Sequence, residues 1–269
     1  MALQKINYEM ALREARESLL KKTGTLGSEA TPVSFTVPAY NCPVCNNIGW
    51  VYHEEEKMYH PNGELNPNFG RAYPCKCRQL DFENKRRSAL LKFCNLPYDA
   101  QDWTFENYNV NRTPRTPEVY EAAMQFLSGY ISFLTIIGPV NSGKSHIAIA
   151  VCHEYLKAKI PAKYVFAPIF LDDLRATYAK DAENSYQFLF HQYCDVPLLV
   201  LDDLYRQKPS AWGSEKLMEL IHFRYMERKP TIFTTNKTFE EICQIDPEQG
   251  EAITSRLQRE NWCRVLILE

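Results

Sequence analysis

No uncharged apolar run in the 269 residues approaches the roughly 20 needed to cross a bilayer as a helix, which argues against a membrane-spanning class. An apolar signal core is missing as well. The first twenty residues, MALQKINYEMALREARESLL, are peppered with acids, so a cytoplasmic chain with no membrane partner is expected. Charge of one sign is not in surplus either: 31 Lys and Arg against 33 Asp and Glu leave a formal net charge of -2. Nothing global therefore draws the chain to nucleic acid, and any such binding must come from a local patch. Internal repeats and low-complexity tracts are absent. What remains, with 45% hydrophobic residues, is ordinary globular composition, long enough for one large domain with a smaller module.

Cysteine is plentiful, and its spacing is informative. Cys42 and Cys45 (CPVC) and Cys75 and Cys77 (CKC) form two close pairs, whereas Cys94, Cys152, Cys194, Cys243 and Cys263 stand alone and read as buried apolar positions. Four thiolates close a tetrahedron around zinc and staple a segment too polar to fold unaided. The 29-residue insert between Cys45 and Cys75 is long for such a site, and C-x-C is tighter than the usual second pair. His53 and His60 lie inside the insert and could replace a cysteine; the blander reading leaves them solvated. An iron–sulfur cluster fits four cysteines too, although nothing else suggests redox chemistry. Between Arg71 and Lys92, seven basic residues outweigh two acids. That stretch could touch nucleic acid or an acidic partner, or be a solvated helix.

Periodicity and composition divide the chain into a helical arm (1–30), a cysteine module with a basic linker helix (31–94) and an α/β domain (95–269). In the arm, Tyr8, Leu12, Ala15 and Leu19 make one apolar stripe over residues 5–22, ended by TGTLGSEATP. In the last domain, β-rich runs at 132–137, 163–166, 197–201, 231–235 and 264–268 alternate with helical stretches. This predicts an α/β fold with a five-stranded parallel sheet between helices.

Four elements carry the chemistry. The first is GPVNSGKSH: Gly138, Pro139, Val140, Asn141, Ser142, Gly143, Lys144, Ser145 and His146, set between a β-rich run and an apolar helix. Glycines let backbone N–H groups turn inward around phosphates, and the helix N-terminus adds partial positive charge. Lys144 would reach the β- and γ-phosphates and the Ser145 hydroxyl would bind magnesium. A lysine at a helix start with no anion nearby would oppose the helix dipole. The second element is PLLVLDDLY, 64 residues on from Gly138, which ends a buried strand in Asp202 and Asp203. Asp202 would hold magnesium through its waters, and Asp203 would orient or deprotonate the attacking water. The third, PTIFTTN, places Asn236 at a strand's carboxyl end, where parallel sheets face their ligands, so that it could hydrogen-bond the γ-phosphate or the lytic water, against the plainer alternative of a turn former. The fourth, ITSRL, offers Arg256 as a finger for a neighbouring subunit's γ-phosphate, against the plainer alternative of a surface ion pair. Phe105 and Tyr108 are candidates for packing near the base. Lys208, Arg224, Arg228 and Lys229 are basic candidates for DNA contact, each with solvated surface charge as the favoured alternative.

With GPVNSGKSHIA, LLVLDDL, RKPTIFTTN and ITSRL in this order, and LPYDAQDWTFENYN ahead of them, the chain resembles the DnaC/DnaI-type replicative helicase loaders. These are a branch of the AAA+ ATPases that also holds the IstB transposition helpers. The resemblance covers residues 95–269 well and the cysteine module less specifically. It implies a P-loop NTPase core without a C-terminal lid, since the chain stops at Glu269. It further implies ATP and magnesium as ligands, with Lys144, Ser145, Asp202, Asp203, Asn236 and Arg256 in the roles above. The implied partners are a hexameric replicative helicase, single-stranded DNA and, when ATP is bound, further copies of the chain. The alternatives are an IstB-like helper acting on duplex DNA and a small-molecule kinase. Such helpers generally lack a cysteine module, and a kinase leaves Asn236 and Arg256 without roles. Asp-Asp in place of the commoner Asp-Glu leaves the hydrolysis rate open.

Overall fold

The structure, a computed structural model, describes residues 14, 17–19, 42–52, 64, 71–178 and 185–268. His53, His60 and most of the N-terminal stripe lie outside the described residues. By contacts the chain divides into two compact units, residues 27–89 and residues 1–26 with 90–269.

The smaller unit is built on a short antiparallel pair, β1 (Trp50–Tyr52) with β2 (Ala72–Pro74), in which Val51 faces Tyr73. The CPVC turn enters β1 through Asn46, Asn47 and Gly49, all at positive φ, a conformation that Asn and Gly adopt at least cost. Helix α1 (Lys76–Cys94) starts inside the CKC pair. Its residues 82–89 are exposed, Lys85 pairs with Asp81 at 2.9 Å, and Arg78 lies over the Trp50 ring.

The larger unit is a parallel sheet of β3 (Phe133–Ile137), β4 (Ala162–Phe166), β5 (Leu198–Asp202), β6 (Thr231–Thr235) and β7 (Cys263–Ile267), in the order β4-β5-β6-β3-β7. Each strand lies within one residue of its sequence reading. The three inner strands are buried along their whole length, the condition that an all-apolar run satisfies when helices cover both faces. Side chains alternate between the faces. Leu134, Ile136, Leu198, Val200 and Ile232 meet α2 (Thr116–Ser128) and α3 (Lys144–Lys157). Phe133, Leu199, Leu201 and Phe233 meet the opposite layer. That layer comprises α4 (Ala167–Ala176), α5 (Tyr186–Asp195), α6 (Ala211–Met226), α7 (Phe239–Ile245) and α8 (Gly250–Gln258). Helix starts follow sequence chemistry. Ser185 and Ser210 cap α5 and α6, and Thr238 with Glu241 makes a capping box on α7. Leu19, from the N-terminal stripe, is 1% exposed and belongs to the α2–α3 core, and Ser18 Oγ beside it donates to the Ser128 carbonyl at 2.9 Å.

One basic candidate is overturned. Arg224 is fully buried, and its guanidinium donates to Thr231 Oγ1 and to the carbonyls of Tyr193, Cys194, Val196 and Pro230. It caps the end of α5 and ties it to β6, and so is out of reach of DNA. Burial pulls it down to about 9. The other three lie outside the core. Lys208 is exposed, Arg228 stacks on Trp262, and Lys229 pairs with Asp195 at 3.0 Å.

Candidate functional site

The carboxyl ends of β3, β5 and β6 converge on residues 138–145. Gly138 is needed for close approach: a Cβ there would lie 2.8 Å from both the Cβ and the carbonyl oxygen of Leu268, just past β7. Gly143 sits at φ +94, a left-handed turn that leads straight into α3. Unlike α5, α6 and α7, α3 has no side-chain cap, so its first N–H groups point into the loop without one.

Lys144 opens that helix and is only 6% exposed. Its Nζ donates to the carbonyls of Gly138 (2.8 Å) and Pro139 (2.6 Å). Burial pulls the ammonium below the usual lysine range, while Asp203 and Asp202 oppose that shift. A buried cation at a helix N-terminus is an arrangement suited to an anionic ligand.

Asp202, 7% exposed, is surrounded by hydroxyls. Ser145 Oγ donates to both of its oxygens (2.9 and 3.1 Å), Thr234 Oγ1 to Oδ1 (2.5 Å) and the Tyr164 hydroxyl to Oδ2 (2.5 Å). Burial, reinforced by Asp202, pushes the Tyr164 phenol far above its ordinary range, so it stays a donor. Asp203 turns the other way at φ +59, its backbone N–H bonded to Thr234 Oγ1 at 2.9 Å. Its carboxylate accepts from Asn236 Nδ2 (3.2 Å) and pairs with Arg206 (2.9 Å). The structure thus gathers Lys144, Ser145, Asp202, Asp203 and Asn236 at one sheet edge. Arg256 is not among them: its Nε donates to His222 Nδ1 on α6 (3.1 Å) and its Nη1 to the Ala252 carbonyl of its own helix (2.7 Å).

Beside the loop, His146 bonds through Nε2 to the Thr104 carbonyl (3.0 Å) and to Asn107 Oδ1 (3.1 Å). Its ring stacks on Trp103 and meets Tyr108 edge-on. Both oxygens are acceptors, so Nε2 carries the proton. Tyr108 lies against Gly143, and burial pushes its phenol up to about 12. Phe105 instead packs edge-on against Tyr120 in the core. Sequence reasoning missed Tyr164 and the Trp103–His146 stack. A tyrosine inside KYVF looks like any core aromatic, and only the strand's two-residue period could have aimed it at Asp202.

In the smaller unit, the Sγ atoms of Cys42, Cys45, Cys75 and Cys77 all lie within 4.8 Å of one another, with Cys42–Cys75 at 3.8 Å and Cys45–Cys77 at 3.5 Å. A tetrahedral thiolate site with bonds of about 2.3 Å has edges of about 3.8 Å, so the quartet fits one metal ion. The Gly49 N–H donates to Cys45 Sγ at 3.3 Å, an outer-shell bond that favours a thiolate. The N–H groups of Cys45 and Val44 hold the Cys42 thiol down to about 7, whereas desolvation and neighbouring thiols push Cys77 up to about 12.

A family profile described as IstB-like ATP binding protein matches residues 78–266. The uncharacterized protein YqaM of Bacillus subtilis (strain 168) is 20% identical over an alignment covering 100% of this chain and 95% of its own. The putative ATP-binding protein Rv3427c in insertion sequence of Mycobacterium tuberculosis is 28% identical, over 57% of this chain and 61% of its own. The replicative helicase loader DnaC of Escherichia coli (strain K12) is 24% identical, over 60% of this chain and 65% of its own. The alignments thus span less than two thirds of the latter two. Among solved structures, the DnaC helicase loader superposes with a TM-score of 0.53 at 22% identity, over 64% of this chain and 100% of that one. AMPPCP-bound DnaA from Aquifex aeolicus gives 0.53 at 17%, over 63% and 50%. The larger unit therefore has the AAA+ fold of DnaC and DnaA.

Proposed function

Because the chain belongs to the IstB-like ATP binding protein family, whose members are AAA+ P-loop ATPases, we propose that it is an ATP-switched loader. It binds single-stranded DNA and delivers a hexameric replicative helicase, in a cytoplasmic setting. In this reading Lys144 holds the β- and γ-phosphates, Ser145 and Asp202 hold magnesium, Asp203 orients the lytic water, and Asn236 senses the γ-phosphate. Magnesium, when bound, supplies neutralisation of the developing phosphate charge. The separation of Arg256 from this set suits a finger that serves a neighbouring copy in a homo-oligomer. Cys42, Cys45, Cys75 and Cys77 hold a structural zinc.

The observation that carries the loader over other uses of the same core is the cysteine quartet: a second, stapled unit ahead of an ATPase supplies a separate place for a protein partner. Likeness to a helicase loader over that loader's whole crystallised chain agrees with it. The test is ATPase rate and sedimentation with single-stranded or duplex DNA, each with and without the host's replicative helicase. A stable ATP-dependent complex on single strands with helicase is expected. The second reading, a transposition helper, is favoured by the insertion-sequence relative, and assembly on duplex DNA alone would establish it in place of the first.

A further inference from the structure

The two-residue period of the strands puts Tyr164, Asp202 and Thr234 on the face of the sheet that α3 covers, the face that also carries Ala162, Val200 and Ile232. Phe166, two residues on from Tyr164, pairs with Asp202 in the β4–β5 register, so the phenol lies beside its own strand's end and reaches along it to the carboxylate. On the other flank β6 brings Thr234. The carboxylate is thus held from both neighbouring strands, by Tyr164 on Oδ2 and by Thr234 on Oδ1, and from α3 by Ser145. A carboxylate offers about four acceptor positions. The two strand hydroxyls occupy one on each oxygen and fix the plane of the group. Ser145, which divides its single proton between both oxygens, is the donor that can concentrate on one oxygen and leave the other a free acceptor position.

We propose that the Tyr164 and Thr234 hydroxyls are positioning groups for the magnesium site: they hold Asp202 in the one orientation from which it can accept from the ion's water shell. Neither touches nucleotide or ion. Tyr164 is the more diagnostic of the two, because Thr234 also receives the Asp203 N–H and so acts on both acids. The proposal rests on the ATP site described above.

The test separates magnesium from nucleotide. Affinity for a fluorescent ATP analogue is measured in EDTA and across a magnesium titration, for the parent, Tyr164→Phe and Thr234→Val. In EDTA both variants are expected within about twofold of the parent, since Lys144 and the loop are untouched. With magnesium, each variant is expected to need about tenfold more of the ion to reach the same affinity, the loss that follows from removing one hydrogen bond to a charged group. Magnesium midpoints within twofold of the parent in both variants would overturn the proposal and leave the two hydroxyls as satisfied core groups. If one variant fails to fold, the other decides. A parent with no magnesium-dependent gain in affinity would overturn the ATP–magnesium reading itself, and is distinguishable because that result needs no variant.

Discussion

The two units differ in what their described residues bury. Around the sheet, two clusters of buried apolar side chains line the α3 face and the α4–α8 face, and burial of that surface is what drives the larger unit to fold. Among the described residues of the smaller unit the buried cluster is Cys42, Cys45 and Cys75, with Val51 and Cys77 packed against it. What those described residues bury is mostly the cysteine set itself. Stability that comes from burial is indifferent to chelators; stability that comes from four thiols depends on what they bind.

On the proposed zinc site, removing the metal breaks the comparison at its weakest point and gives the largest expected effect. Structural zinc in small thiolate modules is worth on the order of 10 kcal/mol, so chelation, or Cys45→Ser, should unfold the smaller unit and spare the sheet. Peptide-resolved amide exchange should show residues 42–52 and 71–75 losing protection while 133–137 and 231–235 keep theirs. Protection of the cysteine turns without metal would show that the unit folds by burial after all.

Next in size is Arg224, where the larger unit departs from its own rule by burying a charge. The guanidinium satisfies five acceptors, four of them main-chain carbonyls. Arg224→Met should cost about 3 kcal/mol or more by leaving them unpaired, read as a lower urea midpoint with α5 the first element to lose protection. A shift under about 1 kcal/mol would mean that water replaces the side chain.

Lys144→Ala sharpens the contrast within the larger unit, between residues that hold the fold and residues that hold a ligand. Lys144 bonds to the loop's own carbonyls and supports no neighbouring element. Hydrolysis should fall by about a hundredfold or more, the loss typical of removing one preorganised donor from a transition state, while the melting temperature stays. A collapse of both would make Lys144 a structural residue.

Much of the larger unit was legible in the sequence, because its information is local. A parallel strand buried on both faces must be an apolar run, and a phosphate loop must place glycines, lysine and a hydroxyl in fixed order between a strand and a helix. The strand ends carrying Asp202 and Asn236 were readable for the same reason. Arg224 was not: a basic residue inside a helix looks solvated until the acceptors that converge on it are known, and they come from residues 193–196 and 230–231. Tyr164 was hidden likewise, since its partner is 38 residues away on another strand. The cysteine quartet was readable as a donor set, but the turn that presents it rests on Asn46, Asn47 and Gly49 at positive φ, which spacing does not reveal.

The smallest effect concerns pH, and it sets the larger unit's polar inclusions against its apolar bulk. His146 and His153 are both held below the usual imidazole range, chiefly by burial. Thr104 opposes the shift at the first while Arg112 adds to it; Lys157 adds to it at the second, against Ala100, Glu154 and Asp102. With folded values below the unfolded value of about 6.5, the unfolded chain takes up protons in that interval which the native chain refuses. Stability is therefore whole above about pH 6.5 and is lost as pH falls through the folded values. His146→Gln keeps a side-chain amide donor toward Thr104 and removes the titration, so its melting temperature should drop less than the parent's between pH 7.5 and 5. The difference between the two proteins isolates this imidazole from the carboxylates, which titrate in both. Equal drops would mean that the Trp103–His146 stack opens easily enough for the ring to protonate as it does in water.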